Sequence, residues 1–329
     1  MKYQKKSYKI QQLATGEELF IHTYTFSSNL SGPNIYLQAN LHGPEIFGTA
    51  LLGKIITFLE TKNDFPGTIT IIPCANPVAV QTTEYNSQGG RWNNQNGNNW
   101  NRIFEIQTPW KNREEEKDYY TQLLHSKNLS IENTLASTLK LLSYNSDYVI
   151  DIHTTGSKNE NHLFVDDNSS PVFIPLGASI HIIWEKDEGV GAFDESHIVS
   201  HTKKQTHACT WEVHHHGDID NEVLEKRFGQ LINWLESIWN KQNIVFPQPQ
   251  KIKIKNTTHL VSEQAGYYTW IAQVGQRIKK HEVYAQVYQL WNNTTVEIKA
   301  HKPFILLSTY GIGAIASGQQ IGWIAYIED

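Results

Sequence analysis

The stretch Asn34 to Glu60, NIYLQANLHGPEIFGTALLGKIITFLE, narrows the folds open to this chain more than any other. Ile35, Tyr36, Leu37, Gln38 and Ala39 form a short apolar run behind Gly32 and Pro33, the pattern of an inner strand. Ile46, Phe47, Leu51, Leu52, Ile55, Ile56 and Leu59 then recur at three- and four-residue spacing, which gives a helix one buried face. Pro44 has no N–H to lose in a first turn, so the helix is expected to begin about there. Between strand and helix stands His42-Gly43-Pro44-Glu45, at the carboxyl end of a strand, where open α/β sheets hold their ligands. An imidazole and a carboxylate three residues apart there can bind one cation from the same side.

The spacing by itself carries little weight. With 15 His and 33 acidic residues in 329, chance gives 15 × 33/329, about 1.5, His-x-x-acid pairs, and two occur, His42/Glu45 and His215/Asp218. A strand-end histidine with an ordinary hydrogen-bond partner is the competing reading of His42.

The rest of the chain supplies context. Its length suits one large domain and a smaller one, and a net charge of -5 shows no basic excess for a nucleic-acid surface. MKYQKKSYKI is followed by no apolar run of signal-peptide length, and no segment approaches membrane-spanning length, so a cytoplasmic address is expected. Cys74 and Cys209 have no CxxC spacing and read as buried free thiols.

Glu18 to Phe26 alternates as a strand, and Thr68 to Ile72 is β-branched after the turn at Asp64 to Gly67. A strand-helix-strand unit of this kind implies a right-handed crossover and a largely parallel sheet. Asn76-Pro77 opens a polar stretch running to Phe104, rich in Asn but carrying Arg91, Trp92, Trp100 and Arg102. Long loops with such side chains are expected to contact a ligand, and the arginines can fork onto a carboxylate or an oxygen gaining charge.

Arg113 to His125 and Ile131 to Tyr144 read as helices, and Asp147 to Ile152 as a buried strand that delivers His153. Asp151, two residues earlier on the same face, is placed to partner His153. Ser179 to Trp184 and His207 to Val213 read as strands, with Gly189 to His197 between them. Glu212 inside the second is a carboxylate in apolar surroundings, costly unless paired or protonated. Asp218 to Lys241 is an amphipathic helix, and Val245 to Gln250 is a Pro/Gln break. The expected division is 1-245 and 251-329, the second part all-β with turns at Val274-Gly275-Gln276 and Ser317-Gly318-Gln319.

Taken in order, His42-x-x-Glu45, Asn76-Pro77, Arg91, Gly97, Asn101-Arg102-Ile103-Phe104, Asp151-Ile152-His153 and Glu212 resemble the succinylglutamate desuccinylase/aspartoacylase family of zinc carboxypeptidase-like hydrolases. The all-β tail resembles that family's second domain, so the likeness covers nearly the whole chain. It implies an α/β fold with a mixed, largely parallel sheet flanked by helices and a smaller all-β domain. It also implies one Zn2+ per chain on His42, Glu45 and His153, with Glu212 as general base and acid. Arg91 would stabilise the oxyanion, and Asn101 and Arg102 would hold a substrate carboxylate. The implied activity is deacylation of an N-acyl amino acid or similar small metabolite, with no nucleic-acid or membrane partner and with self-association left open. A carboxypeptidase for small peptides and a non-catalytic binding protein are the alternatives.

One departure is visible. Where the family usually reads Asp-Leu-Asn-Arg, this chain has Asn99-Trp100-Asn101-Arg102, a difference expected to alter acyl and amino-acid preference. The His214-His215-His216 run reads as sheet-end histidines or a pocket wall. A second metal site is disfavoured there because neighbouring strand residues point to opposite faces.

Overall fold

The computed structural model describes all residues except 63, 85–86, 105–109, 185–189, 199–205, 241–244, 312 and 329. Its centre is a nine-stranded sheet. In chain order the strands are β1 (Lys2–Gln12), β2 (Glu18–Ser27), β3 (Asn34–Ala39), β4 (Thr68–Ile72), β5 (Tyr148–Thr154), β6 (His162–Asp166), β7 (Ile180–Trp184), β8 (His207–His214) and β9 (Gln250–Lys253). Their spatial order is β1-β2-β4-β3-β5-β8-β6-β7-β9. The β1/β2, β2/β4 and β8/β6 pairs are antiparallel and the other five parallel, so the sheet is mixed and largely parallel, as expected.

Side-chain alternation along these strands sorts the two faces. Ile35, Leu37, Ala39, Ile150, Ile152, Cys209, Trp211 and Val213 point to one face, where α1 (Phe47–Thr61) and α5 (Asn221–Asn240) cover them with Leu51, Leu52, Ile55, Leu231 and Trp234. Helix α1 approaches closely because Gly48 is small: a Cβ there would lie 2.7 Å from Ala39 Cβ. The opposite face carries Tyr36, Gln38, Asp151, His153, Thr210 and Glu212. It is packed by α3 (Ile131–Ser143), α4 (Phe193–Ile198) and the long polar loop, with α2 (Arg113–Leu124) alongside α3.

That loop is held by its asparagines. Asn93 Nδ2, Asn96 Nδ2 and Asn98 Nδ2 all donate to Glu132 Oε1 of α3 at 2.9, 2.7 and 3.1 Å. Asn93, Asn96 and Asn99 each accept, on their side-chain oxygen, the backbone N–H two residues on, a run of Asx turns. Trp100 and Phe104 are buried in the face they cover. An Asn-rich composition therefore encodes a fixed loop here.

The strands that follow β9 build two antiparallel sheets around Tyr268, Ile278, Val287, Phe304, Leu306 and Ile324. The two turns anticipated in this region share one device. Gly275 and Gly318 take φ of 81 and 85°, and the following Gln276 and Gln319 accept, on their side-chain oxygens, the N–H groups of Gln273 and Ala316. Ile180, Ile182 and Ile252 of the main sheet pack on Ile305, Leu307 and Ala325 of the all-β strands, and Lys158–Asn159 pairs with Ser308–Thr309.

Several boundaries differ from expectation. Helix α1 starts at Phe47, because His42 to Glu45 close a turn in which Glu45 N–H donates to His42 C=O at 3.2 Å. Strand β1 was not expected: most of its residues are polar, only Ile10 is buried among its apolar side chains, and its order comes mainly from pairing with β2. Strand β6 and helix α4 are too short for periodicity to reveal. Gln250–Lys253 joins the main sheet beside β7. Gly189 and Lys241, bounds used in the sequence reading, lie outside the described residues.

Candidate active site

The sheet register assembles the site. Gln38, Asp151, Thr210, Phe164 and Ile182 lie side by side across β3, β5, β8, β6 and β7, and His153, Glu212 and His162 form the next row toward the strand ends. The turn after β3 brings in His42 and Glu45. Asn40 makes that turn at φ 60°, with its Nδ2 donating to the carbonyls of His42 and Gly43.

His42, Glu45 and His153 converge, all buried. Glu45 Oε1 lies 2.8 Å from His42 Nδ1, and Glu45 Oε2 lies 2.8 Å from His153 Nδ1. The far nitrogens fix the tautomers. Asn101 N–H donates to Asn99 Oδ1 at 2.8 Å, so that atom is an acceptor and His42 Nε2, 2.9 Å from it, carries the proton. His153 Nε2 likewise donates to Asp151 Oδ2 at 2.8 Å, while Asp151 Oδ1 accepts from Gln38 Nε2, whose own Oε1 accepts from Tyr36 Oη. Both Nδ1 atoms therefore turn lone pairs toward a carboxylate that has no proton to offer them.

Three acceptors facing one another need positive charge between them, from a proton or a cation. Burial works against charge on His153, yet the Asp151 and Glu45 carboxylates outweigh it and hold its pKa well above the ordinary value. Burial likewise opposes the Glu45 carboxylate, and the two imidazoles nevertheless keep it well below the usual range. The three ligand atoms lie within 4.8 Å of one another. Two imidazoles and a carboxylate, each His backed by an acceptor, are the donor chemistry of a divalent-cation site with room for a further ligand. The residues fit a metal.

The other expected site residues stand around a cavity of about 410 Å³ that His42 and His153 also line. Glu212 is on its wall with Oε2 enclosed and without a hydrogen-bond partner. Burial first, then Glu45 and Asp151, push its carboxyl up to about 8, against the pull of His153 and Arg91. Arg91 Nη1 donates to Glu45 Oε1 at 3.3 Å. Asn101 Oδ1 accepts the N–H of Phe193, which leaves its Nδ2 toward other partners, and Arg102 Nη1 donates to Asn101 C=O at 2.6 Å. All seven residues singled out from the sequence are thus gathered at one place.

Sequence reasoning missed other members. Gln38 and Tyr36 looked like strand core, and Asn99 was read through substrate preference while its oxygen sits on His42. Asp194 lines the cavity, with burial, then Glu195 and Asp151, pushing it up to about 7. Lys255, His259, Tyr310 and Trp323 reach the same cavity from the C-terminal region. The argument against a second cluster fails in part, because β8 ends at His214 and the chain turns at Gly217, φ 74°. His214, His215 and Asp218 consequently place ligand atoms within 4.8 Å of one another, partly exposed and away from the cavity lining.

Fold and site together define an α/β domain with a candidate His-Glu-His metal centre. Residues 31–176 match the model of the succinylglutamate desuccinylase/aspartoacylase catalytic domain. The resemblance read from the sequence is borne out. Among solved structures, the chain is similar to a protein of this family from Shewanella amazonensis SB2B (19% identity, 98% of each chain, TM-score 0.89). It is similar also to one from Shewanella frigidimarina NCIMB 400 (21% identity, 98% and 97% of the two chains, TM-score 0.87). The product-bound ectoine utilization protein EutE (DoeB) from Ruegeria pomeroyi shares the fold at 16% identity, 99% and 95% of the chains, and TM-score 0.74. A sequence search of curated proteins gives no match. No helix among the described residues is long and apolar enough to cross a membrane.

Proposed function

We propose that this chain is a zinc-dependent deacylase that hydrolyses the amide bond of an N-acyl amino acid or related small metabolite, with one Zn2+ per chain. The observation that carries the reading is the pair of Nδ1 lone pairs aimed at Glu45, with Glu212 paired to His153 across the neighbouring strand and its Oε2 buried without a hydrogen-bond partner. His42, Glu45 and His153 would hold the ion, which supplies Lewis acidity, lowering the pKa of water from about 15.7 toward about 7.

Glu212 is the proton carrier in this scheme. Its carboxylate takes a proton from the attacking water, and the resulting carboxylic acid passes that proton to the amide nitrogen as the C–N bond breaks. A pKa near the working pH suits both halves of that cycle. Arg91 stands beside Glu45, where its guanidinium would stabilise charge growing on the scissile carbonyl oxygen. Arg102 and Asn101 Nδ2 would hold the substrate carboxylate. We propose that residues 1-245 form the hydrolase domain and 251-329 the small all-β domain, the latter lending Lys251 to Lys253 to the edge of the main sheet and supplying Lys255, His259, Tyr310 and Trp323 to the cavity.

A panel of N-acyl amino acids and dipeptides, read by amine release after zinc is supplied, tests the reading. Faster turnover of acyl amino acids supports it; cleavage of dipeptides alone would make the enzyme a carboxypeptidase. Zinc content far below one per chain, with no hydrolysis, would leave a binding protein.

Asn99 gives a further expected result. Asn99→Leu removes the acceptor that holds the His42 tautomer, so zinc affinity should fall roughly 10–100-fold. Competition with a chromogenic chelator measures it, and an unchanged affinity would mean that His42 is not a ligand through Nδ1.

A further inference from the structure

The cavity has two kinds of lining: polar groups, among them His42, Glu212, Arg91 and Arg102, and the rings of Phe164 of β6, Trp184 of β7 and Trp323 of the C-terminal sheet. The Phe164 and Trp323 rings stack at 5.2 Å between centroids and 19° between planes, and Phe164 meets Trp184 at 5.7 Å. His162 lies against both Phe164 and Trp323, and burial lowers its pKa to about 4, so it adds no charge to this wall. The register explains the placement: Phe164 pairs across the sheet with Thr210, one step along β8 from Glu212, so the aromatic wall begins where the polar row ends.

Such a wall can receive a flat apolar group or a cation. Here Arg91, Arg102 and Lys255 line the same cavity, and its two carboxyl groups, Asp194 and Glu212, are pushed by burial toward their neutral forms, so the balance of charge opposes a cationic ligand. A second carboxylate, or a small aliphatic group, would leave the ring faces wet or would itself be desolvated against them. An aromatic ring fits on both counts: it covers the wall at offset or edge-on geometry and asks for no hydrogen bond.

Building on the deacylase reading, we propose that the preferred substrate is an N-acyl amino acid carrying an aromatic ring, seated against Phe164, Trp184 and Trp323 while the substrate carboxylate faces Arg102. The ring belongs to the amino acid or to the acyl group; the chemistry of the wall is the same for either.

The test uses the zinc-supplied full chain and compares N-acetyltyrosine, N-benzoylglycine, N-acetylalanine and N-acetylaspartate. The expected kcat/KM for the better of the two aromatic substrates exceeds that of alanine and aspartate by at least tenfold, and the substrate identity tells which side holds the ring. Trp323→Ala should shrink that ratio at least tenfold, and Trp323→Phe should restore most of it. Hydrolysis that favours N-acetylalanine or N-acetylaspartate overturns this proposal and leaves the deacylase reading standing. Should none of the four be hydrolysed, the deacylase reading fails for this substrate class. Calorimetric binding of N-acetyltyrosine against N-acetylalanine then decides the aromatic wall separately: tighter binding of the former upholds it, and equal affinity overturns it.

Discussion

Glu212→Gln is expected to lower turnover about 100 to 10,000-fold, the range typical of losing a positioned proton carrier, while zinc content stays unchanged. Gln keeps the shape and polarity of the side chain and removes only its ability to exchange a proton. Steady-state kinetics beside metal analysis gives both readings, and a variant that retains turnover would remove Glu212 from the chemistry. Stability offers an independent check in chelated protein. The folded-state pKa of about 8 stands above the ordinary 4.5, so the folded state binds more protons in between. The group's contribution is therefore fully present below about 4.5 and is lost as pH rises through about 8. Gln has no charge to bury, so its melting temperature should gain on the parent's between pH 5 and pH 9. An equal difference at both pH values would contradict an enclosed Glu212.

The second large effect concerns His153. Removing it takes away one donor to the ion and leaves Glu45 and Asp151, both buried carboxylates, without the imidazole that lies between them. His153→Ala should therefore abolish stoichiometric zinc binding, a loss beyond the roughly 10–100-fold expected for an orienting partner. The chelated variant should also be less stable by about 3–5 kcal/mol, because breaking a buried charged pair strands what is left. Urea unfolding of chelated parent and variant measures this. A variant that holds zinc at one per chain would place the ion elsewhere.

What the sequence made legible followed from strong local signals. The apolar run at Ile35 to Ala39 and the spacing from Phe47 to Leu59 announced β3 and α1, because burial on both faces of a strand or along one face of a helix leaves a periodic trace. Glu212 stood out because an ionisable group in an apolar strand needs a reason, and His153 because it stands where a buried strand gives way to loop. Strand β1 left no such trace, since most of Lys2 to Lys9 faces solvent and the strand is ordered mainly by its pairing with β2. The contact between His42 and Asn99 spans 57 residues, and no local pattern announces it. The same holds for the aromatic wall, whose three rings come from positions 164, 184 and 323 and meet only because β6 and β7 lie side by side beneath the C-terminal sheet.

X-ray absorption at the zinc edge, on protein supplied with one equivalent of zinc, reaches the centre of this account most directly. Two nitrogen scatterers and a carboxylate oxygen at about 2.0–2.2 Å, with the nitrogen signal reduced by His42→Ala and by His153→Ala, are the expected result. An ion whose spectrum is indifferent to both substitutions, and is lost instead on replacing His214 and His215, would contradict it.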